Sequence, residues 1–151
     1  MFHVALWEPE IPPNTGNIAR LCAATGATLH LIGRLGFHLD DRSLQRAGLD
    51  YWSAVTMIRH DDQAAFETWH TTGTLWCFSA HAQRRYTQAT YAPGDVLLFG
   101  SESRGLPATV LERHRENCLT LPMPGQAVRS LNLATTVGIA LYEALRQGNG
   151  W

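Results

Sequence analysis

The chain has 151 residues, of which 45% are hydrophobic and 17% charged, with no low-complexity block or internal repeat; this excludes a disordered polymer and predicts one domain over 1–151. A formal net charge of −1 lacks the basic excess usual in nucleic-acid-binding domains, and taken alone it argues mildly against RNA. The apolar runs are far too short to span a membrane, and "MFHVALWEPE" lacks the basic flank and apolar core of a signal peptide, so a cytoplasmic location without membrane partners is expected.

Residues 2–8, "FHVALWE", alternate and carry β-formers, predicting a first strand that "PEIPPN" ends. Asn14 or Thr15 can cap a helix running to about Thr25, where Gly26 supplies the stop. On that helix Ile18, Leu21, Cys22 and Thr25 share a packing face, while Asn17, Arg20 and Ala24 share another that is left for something else. A second strand, "TLHLIG" at 28–33, leads into "FHLDDRSLQRAG", where Asp40 or Asp41 can cap a short helix closed by Gly48. "SAVTMIR" at 53–59 reads as a third strand, and Asp61 or Asp62 caps the helix that carries Phe66 and Trp69. "TLWCFSA" at 74–80 and "VLLFG" at 96–100 are short apolar strands, separated by the polar loop "HAQRRYTQATYAP" and a Pro93-Gly94-Asp95 turn. Pro107 suits the first position of a helix through about Glu116, and "CLTLPM" is the last strand. Ser130 or Asn132 then begins a long helix to about Gln147, with a stripe of Leu133, Val137, Ala140, Leu141, Ala144 and Leu145. The alternation predicts an α/β fold with a mostly parallel sheet and helices on both faces, and ligands beyond the carboxyl ends of the strands.

Three strand ends therefore carry weight: Phe78 to Ala82, Gly100 to Gly105, and Leu121 to Asn132. Their Gly, Ser, Pro and Asn residues leave main-chain N–H and C=O groups open to a ligand, as an adenine edge requires. Glu102 is the one carboxylate among them, which favours a cationic or hydroxyl-rich ligand over a phosphate. Taken singly, each Gly or Pro equally turns the chain, and Ser130 or Asn132 equally caps a helix. Cys22, Cys77 and Cys118 are odd in number and widely spaced, and the seven histidines never fall at HxxxH or HExxH spacing. Reduced thiols and no metal are expected. All twelve basic residues are arginine, which suits phosphate contact, although biased codon usage explains the same count.

"IPPNTGNIARLCAATG" at 11–26, "LLFGSESRGLP" at 97–107 and "LPMPGQAVRSLNLATTVGIALYEALRQ" at 121–147, with "AGLDYW" at 47–52, resemble the motifs of the SPOUT class of RNA methyltransferases. Within that class the likeness is to the short bacterial tRNA (cytidine/uridine-34)-2′-O-methyltransferases, and it spans almost the whole chain in matching order. The resemblance implies a deep trefoil knot near the C-terminus holding S-adenosyl-L-methionine, with S-adenosyl-L-homocysteine as product. By matched position it implies a cofactor site of Phe78, Gly100, Leu121 and Ser130, with Glu102, Gly105, Met123 and Asn132 close by. It further implies an obligate homodimer whose active site uses both subunits and takes the tRNA anticodon stem-loop.

Arg20 is the residue the resemblance marks as catalytic. A guanidinium holds its proton in proteins, so binding the target phosphate and orienting the 2′-hydroxyl suit it better than action as a base. Asn14 and Asn17 are expected to assist, one capping the helix and the other bonding to Arg20 or RNA, with free N–H groups near Asn14 for a phosphate. Relatives often carry a Thr-Thr-Lys-Gly loop where this chain has Ser79-Ala80-His81-Ala82, so Arg84 or Arg85 is expected to replace the missing basic residue. Tyr142 either packs across the dimer interface or reaches the substrate. The "PGQAVRSLN" loop is a residue longer than in some relatives. Two other readings stay open: a methyltransferase for another tRNA or rRNA ribose, and a non-catalytic RNA-binding module that keeps the scaffold.

Overall fold

The computed structural model describes residues 1–40, 42, 46 and 52–151. Strands β1 (His3–Trp7), β2 (Thr28–Ile32), β3 (Met57–His60), β4 (Leu75–Phe78), β5 (Val96–Phe99) and β6 (Cys118–Leu119) alternate with helices α1 (Pro12–Thr25), α2 (Gln63–Trp69), α3 (Ala108–Arg113) and α4 (Leu133–Asn149). The strands form one sheet in the order β3-β2-β1-β5-β4-β6, and every pairing is parallel. No described helix is long and apolar enough to cross a membrane.

Parallel strands need crossovers, and helical crossovers bury both faces of the sheet, which is why β2, β4 and β5 are buried along their whole length. Side chains alternate between the faces. Val4, Leu6, Trp76, Phe78, Leu97 and Phe99 point to one side, where Ile18 and Cys22 of α1 and Val137, Ala140, Leu141 and Ala144 of α4 complete the core. Ala5, Leu75, Cys77, Val96 and Leu98 point to the other, against Phe66 of α2 and Val110 of α3. The expected stripe of α4 and the expected packing face of α1 are these contacts, and Asn17, Arg20 and Ala24 are exposed as the alternation required.

From β1 the chain builds outward through β2 and β3, and the later strands fill the other side, with β5 beside β1. Such a reversal opens a crevice at the carboxyl ends of the two central strands.

Several boundaries differ from expectation, each for a local reason. α1 starts at Pro12 rather than after Asn14 or Thr15; Pro12 and Pro13 occupy the first two positions, where a missing N–H costs nothing, and Ile11 is the cap residue. β3 starts only at Met57, because Trp52–Ala54 form a 3-10 turn. Asp62 is the cap of α2, accepting from the Ala65 N–H at 2.8 Å. α3 ends at Arg113, and a 3-10 turn at Arg115–Asn117 delivers Cys118 into register beside Cys77. β6 holds only two residues, because at Thr120 the chain passes from β4 to the following loop: the Thr120 N–H donates to the Arg84 carbonyl at 2.8 Å and its carbonyl accepts from the Tyr86 N–H at 2.9 Å. The loop read as polar is anchored: Ala89 and Tyr91 are buried, and the Tyr91 hydroxyl donates to the Tyr86 carbonyl at 2.7 Å. The helix expected between Asp40 or Asp41 and Gly48, and "AGLDYW" as far as Tyr51, lie outside the described residues save for Asp40, Arg42 and Arg46.

Candidate functional site

A cleft of about 720 Å³ lies beyond the carboxyl ends of β4, β5 and β6. Its lining brings together Asn14, Phe78, Gly100, Glu102, Gly105, Leu121, Met123, Ser130 and Asn132, all of them singled out in the sequence. Phe78 and Phe99, neighbours across β4 and β5, stack with ring centroids 4.6 Å apart where the strands enter it.

The Gly100–Gly105 wall is a turn closed upon itself. The Gly105 N–H donates to the Ser101 carbonyl at 2.9 Å, and Gly105 takes φ +67°, a value that favours glycine. A Cβ on Gly100 would stand 2.1 Å from the Gly105 carbonyl carbon and 2.2 Å from the Leu106 nitrogen, so only hydrogen fits. Within this wall Ser101 is buried.

The tip of the same turn faces the β1–α1 connection. Glu102 accepts from the Glu10 N–H at 2.9 Å through Oε1, and from the Ile11 N–H at 2.8 Å and the Asn14 amide at 3.1 Å through Oε2. It thereby ties down the two amides that lead into α1 and places a negative charge next to the positive end of the helix dipole. Asn14 Oδ1 accepts in turn from Asn132 Nδ2 at 3.0 Å, and Asn132 Oδ1 caps α4 by accepting from the Thr135 N–H. Of the two candidates for that cap, Asn132 holds it.

This arrangement corrects the expectation of a phosphate seat at the start of α1. Two prolines contribute no N–H there, the Asn14 N–H is spent on the Ile11 carbonyl, and the Glu102 carboxylate repels an anion. Asn14 is buried in the first turn and is not the cap.

Asn17 and Arg20 project from the outer face of α1 and do not line the cleft. Nor do Arg84 and Arg85. The Arg84 guanidinium donates to the Glu116 and Gln88 carbonyls and lies over the Trp76 ring, so it serves the fold, while Arg85 is exposed. Tyr142, half exposed, lines a separate groove with Met1, Phe2 and Trp151, near the amino ends of β1 and β5. His81 and Arg129 at the cleft, and Glu10 behind it, are polar groups that the sequence reading passed over. Arg129 is the one with a visible signal, a cation inside "AVRSLN". Among the described residues no group of His, Cys, Asp and Glu side chains is placed to hold a metal.

A family model described as the SpoU rRNA Methylase family matches residues 1–142. The tRNA (cytidine(34)-2′-O)-methyltransferase of Burkholderia ambifaria is 50% identical over 151 residues, covering 97% of this chain and 96% of that one. A solved structure described as "Structural insights into the 2-OH methylation of C/U34 on tRNA" superposes with a TM-score of 0.96 at 51% identity, covering 100% of this chain and 98% of the other. The SpoU methyltransferase AviRb of Streptomyces viridochromogenes, solved in complex with AdoMet, matches at 25% identity and a TM-score of 0.85 over 96% of this chain and 59% of its own. With most of its length matched by the model and half of its residues shared with a full-length relative, the chain belongs to the SpoU methylase family.

Proposed function

We propose that the chain transfers a methyl group from S-adenosyl-L-methionine to the ribose 2′-hydroxyl of nucleotide 34, cytidine or uridine, in the anticodon stem-loop of tRNA. One observation carries this reading: a near-complete match to a C/U34 2′-hydroxyl methylation structure coincides with a glycine-walled cleft beyond the carboxyl ends of β4, β5 and β6. The volume falls within the roughly 300–1,000 Å³ of small-molecule sites. The hydrogen-only space at Gly100 suits a ligand that approaches the backbone closely.

When bound, S-adenosyl-L-methionine supplies an electrophilic methyl carbon on a sulfonium sulfur. Phe78, Gly100, Gly105, Leu121, Met123 and Ser130 hold it, mainly by shape and main-chain contacts. Glu102 and Asn132 act at one remove, fixing the wall and the start of α4. Arg20 binds the target phosphate and orients the ribose hydroxyl, whose proton is released as the oxygen gains the methyl group. Alignment of this kind contributes roughly 7–11 kcal/mol in well-oriented systems, enough to make a strong base unnecessary.

Because Arg20 and Asn17 stand on the exposed face of α1 and outside the cleft lining, a homodimer whose active site draws on both subunits fits the geometry. The deep trefoil knot belongs to the same reading. It is supported by the return of the chain from edge strand β6 to line the cleft beside Gly100 and to bond Asn132 to Asn14. The whole chain then acts as one catalytic domain in the cytoplasm, without a metal.

Tritium transfer to single tRNA species, followed by nucleoside mapping, tests the function. Label at nucleotide 34 as the 2′-O-methyl product is expected, and label at another position or none refutes it. Arg20→Ala is expected to cut transfer by at least about 100-fold, near the cost of one charged transition-state contact, with cofactor affinity retained.

A further inference from the structure

The three tip residues of the Gly100–Gly105 turn stand at the edge of the cleft, and each reaches a partner in "WEPEI". Glu102 takes the Glu10 and Ile11 amides. Ser103 donates both its N–H, at 3.1 Å, and its hydroxyl, at 2.6 Å, to Glu10 Oε1. Arg104 lies over the Trp7 ring at 5.3 Å and pairs with Glu8 at 3.4 Å. The Glu10 and Glu102 contacts are reciprocal: the Glu10 amide donates to the Glu102 carboxylate, and the Ser103 amide donates to the Glu10 carboxylate. Two crossed carboxylate–amide bonds therefore close over the seam between β1 and β5. Charge-assisted bonds of this type are about twice as strong as neutral ones.

Glu8 is the one non-glycine residue with positive φ (+46°) among the described residues, and Glu10 follows two positions later. A strained backbone persists where its surroundings over-determine it, and these contacts do that. Ser103 also holds the Glu10 carboxyl below the usual carboxylate range, so the bond is made to the ionised form.

We infer that Glu10 is a positioning residue for methyl transfer: acting through Ser103, it keeps the Gly100–Gly105 wall in the shape that receives the cofactor, and it ties that wall to the helix bearing Arg20. The inference deepens the function proposed above and rests on it for the identity of the ligand. Glu10 touches neither cofactor nor substrate in this scheme.

The test compares the full-length protein with Glu10→Ala, Ser103→Ala and Ser103→Thr. Glu10→Ala is expected to raise the KM and Kd for S-adenosyl-L-methionine about tenfold, as loss of a charged hydrogen bond predicts, with kcat at saturating cofactor within about threefold of the parent. Ser103→Ala is expected to raise them by a smaller factor, about threefold, and Ser103→Thr, which keeps the hydroxyl, to restore them. Amide hydrogen exchange at Ser103 is expected to quicken at least about tenfold in Glu10→Ala. Parental cofactor KM and parental exchange at Ser103 in both alanine variants overturn the inference. Ser103→Ala removes only a hydroxyl and carries the test should Glu10→Ala not fold. If the parent protein binds no S-adenosyl-L-methionine, the proposed function falls, and the exchange rate at Ser103 alone decides whether the clasp exists.

Discussion

The two halves of the sheet, divided at the β1–β5 seam, differ in what their strands present: one carries a closed file of histidines, the other opens onto a cavity. In the β1-β2-β3 half, three histidines on adjacent strands satisfy one another: His3 Nδ1 lies 2.9 Å from His30 Nε2, and His30 Nδ1 lies 2.9 Å from His60 Nε2. His30 is wholly buried, with the Trp69 ring 4.3 Å away. A neutral imidazole has one donor and one acceptor, so the file closes only if its three rings point their protons the same way. The β5-β4-β6 half instead leaves a glycine-walled cleft. Polar groups that exhaust one another build the fold, whereas a cavity walled by close-set glycine backbone marks where a ligand belongs.

Breaking the open half alone gives the largest expected effect. At Gly100 a side chain meets the Gly105 and Leu106 backbone within 2.5 Å, and backbone cannot swing aside as a flexible side chain can. Gly100→Val is therefore expected to weaken S-adenosyl-L-methionine binding at least about 100-fold, about 2.7 kcal/mol, by calorimetry. Unchanged affinity would mean that this turn is no wall of the cofactor site.

Acid attacks the closed half. Burial, then the neighbouring His3 and His60, push His30 down to about 3 from the ordinary 6.5. Burial, the N-terminal ammonium and His70 lower His3; burial and Arg59 lower His60. All three favour the neutral ring in the folded chain. The unfolded chain binds protons first, so their stabilisation is whole above about pH 6.5 and drains away as the pH falls toward 3. The melting temperature is expected to drop steadily from pH 6.5 to 4.5, and His30→Leu to show a shallower slope, though a lower melting temperature at pH 7. Parallel slopes for the two proteins would remove the histidine file as the source.

Those two regions were not equally legible in the sequence. The strand–helix alternation, the stripe of α4 and the exposed face of α1 follow from periodicity, because burial on one face writes itself into local spacing. The Gly, Ser and Asn composition at three strand ends likewise marked the cleft, while the cofactor's identity came from motif resemblance. The histidine file escaped because its spacing is set by the register of three strands and not by a short motif: His30 sits opposite Ala5, and His60 opposite Ile32. The tether at the entry to α1 escaped for a similar reason. Ser, Thr, Asp and Asn near a helix start are local signals, but here the carboxylate that holds the entry to the helix belongs to Glu102, 91 residues from Ile11. Glu10 read only as part of a strand breaker, since nothing local to it shows that Ser103 lies opposite.

Asn132 sharpens the comparison most finely, because it performs a structural task and a site task with different atoms. Its Oδ1 caps α4 through the Thr135 N–H, and its Nδ2 reaches Asn14 at the cleft. Asn132→Ala loses both and is expected to cost about 1 kcal/mol, the usual worth of a cap. For a domain of this size that lowers the melting temperature by roughly 2–4 °C. Asn132→Asp keeps an equally good capping oxygen but replaces the amide donor with a carboxylate that faces the Asn14 oxygen. It is expected to melt within about 1 °C of the parent, as the near-equal capping strength of Asn and Asp implies, yet to bind S-adenosyl-L-methionine several-fold more weakly. If the aspartate variant kept full affinity, the bond to Asn14 would belong with the self-satisfied polar groups of the fold, and the boundary of the ligand-facing half would move inward to Ser130.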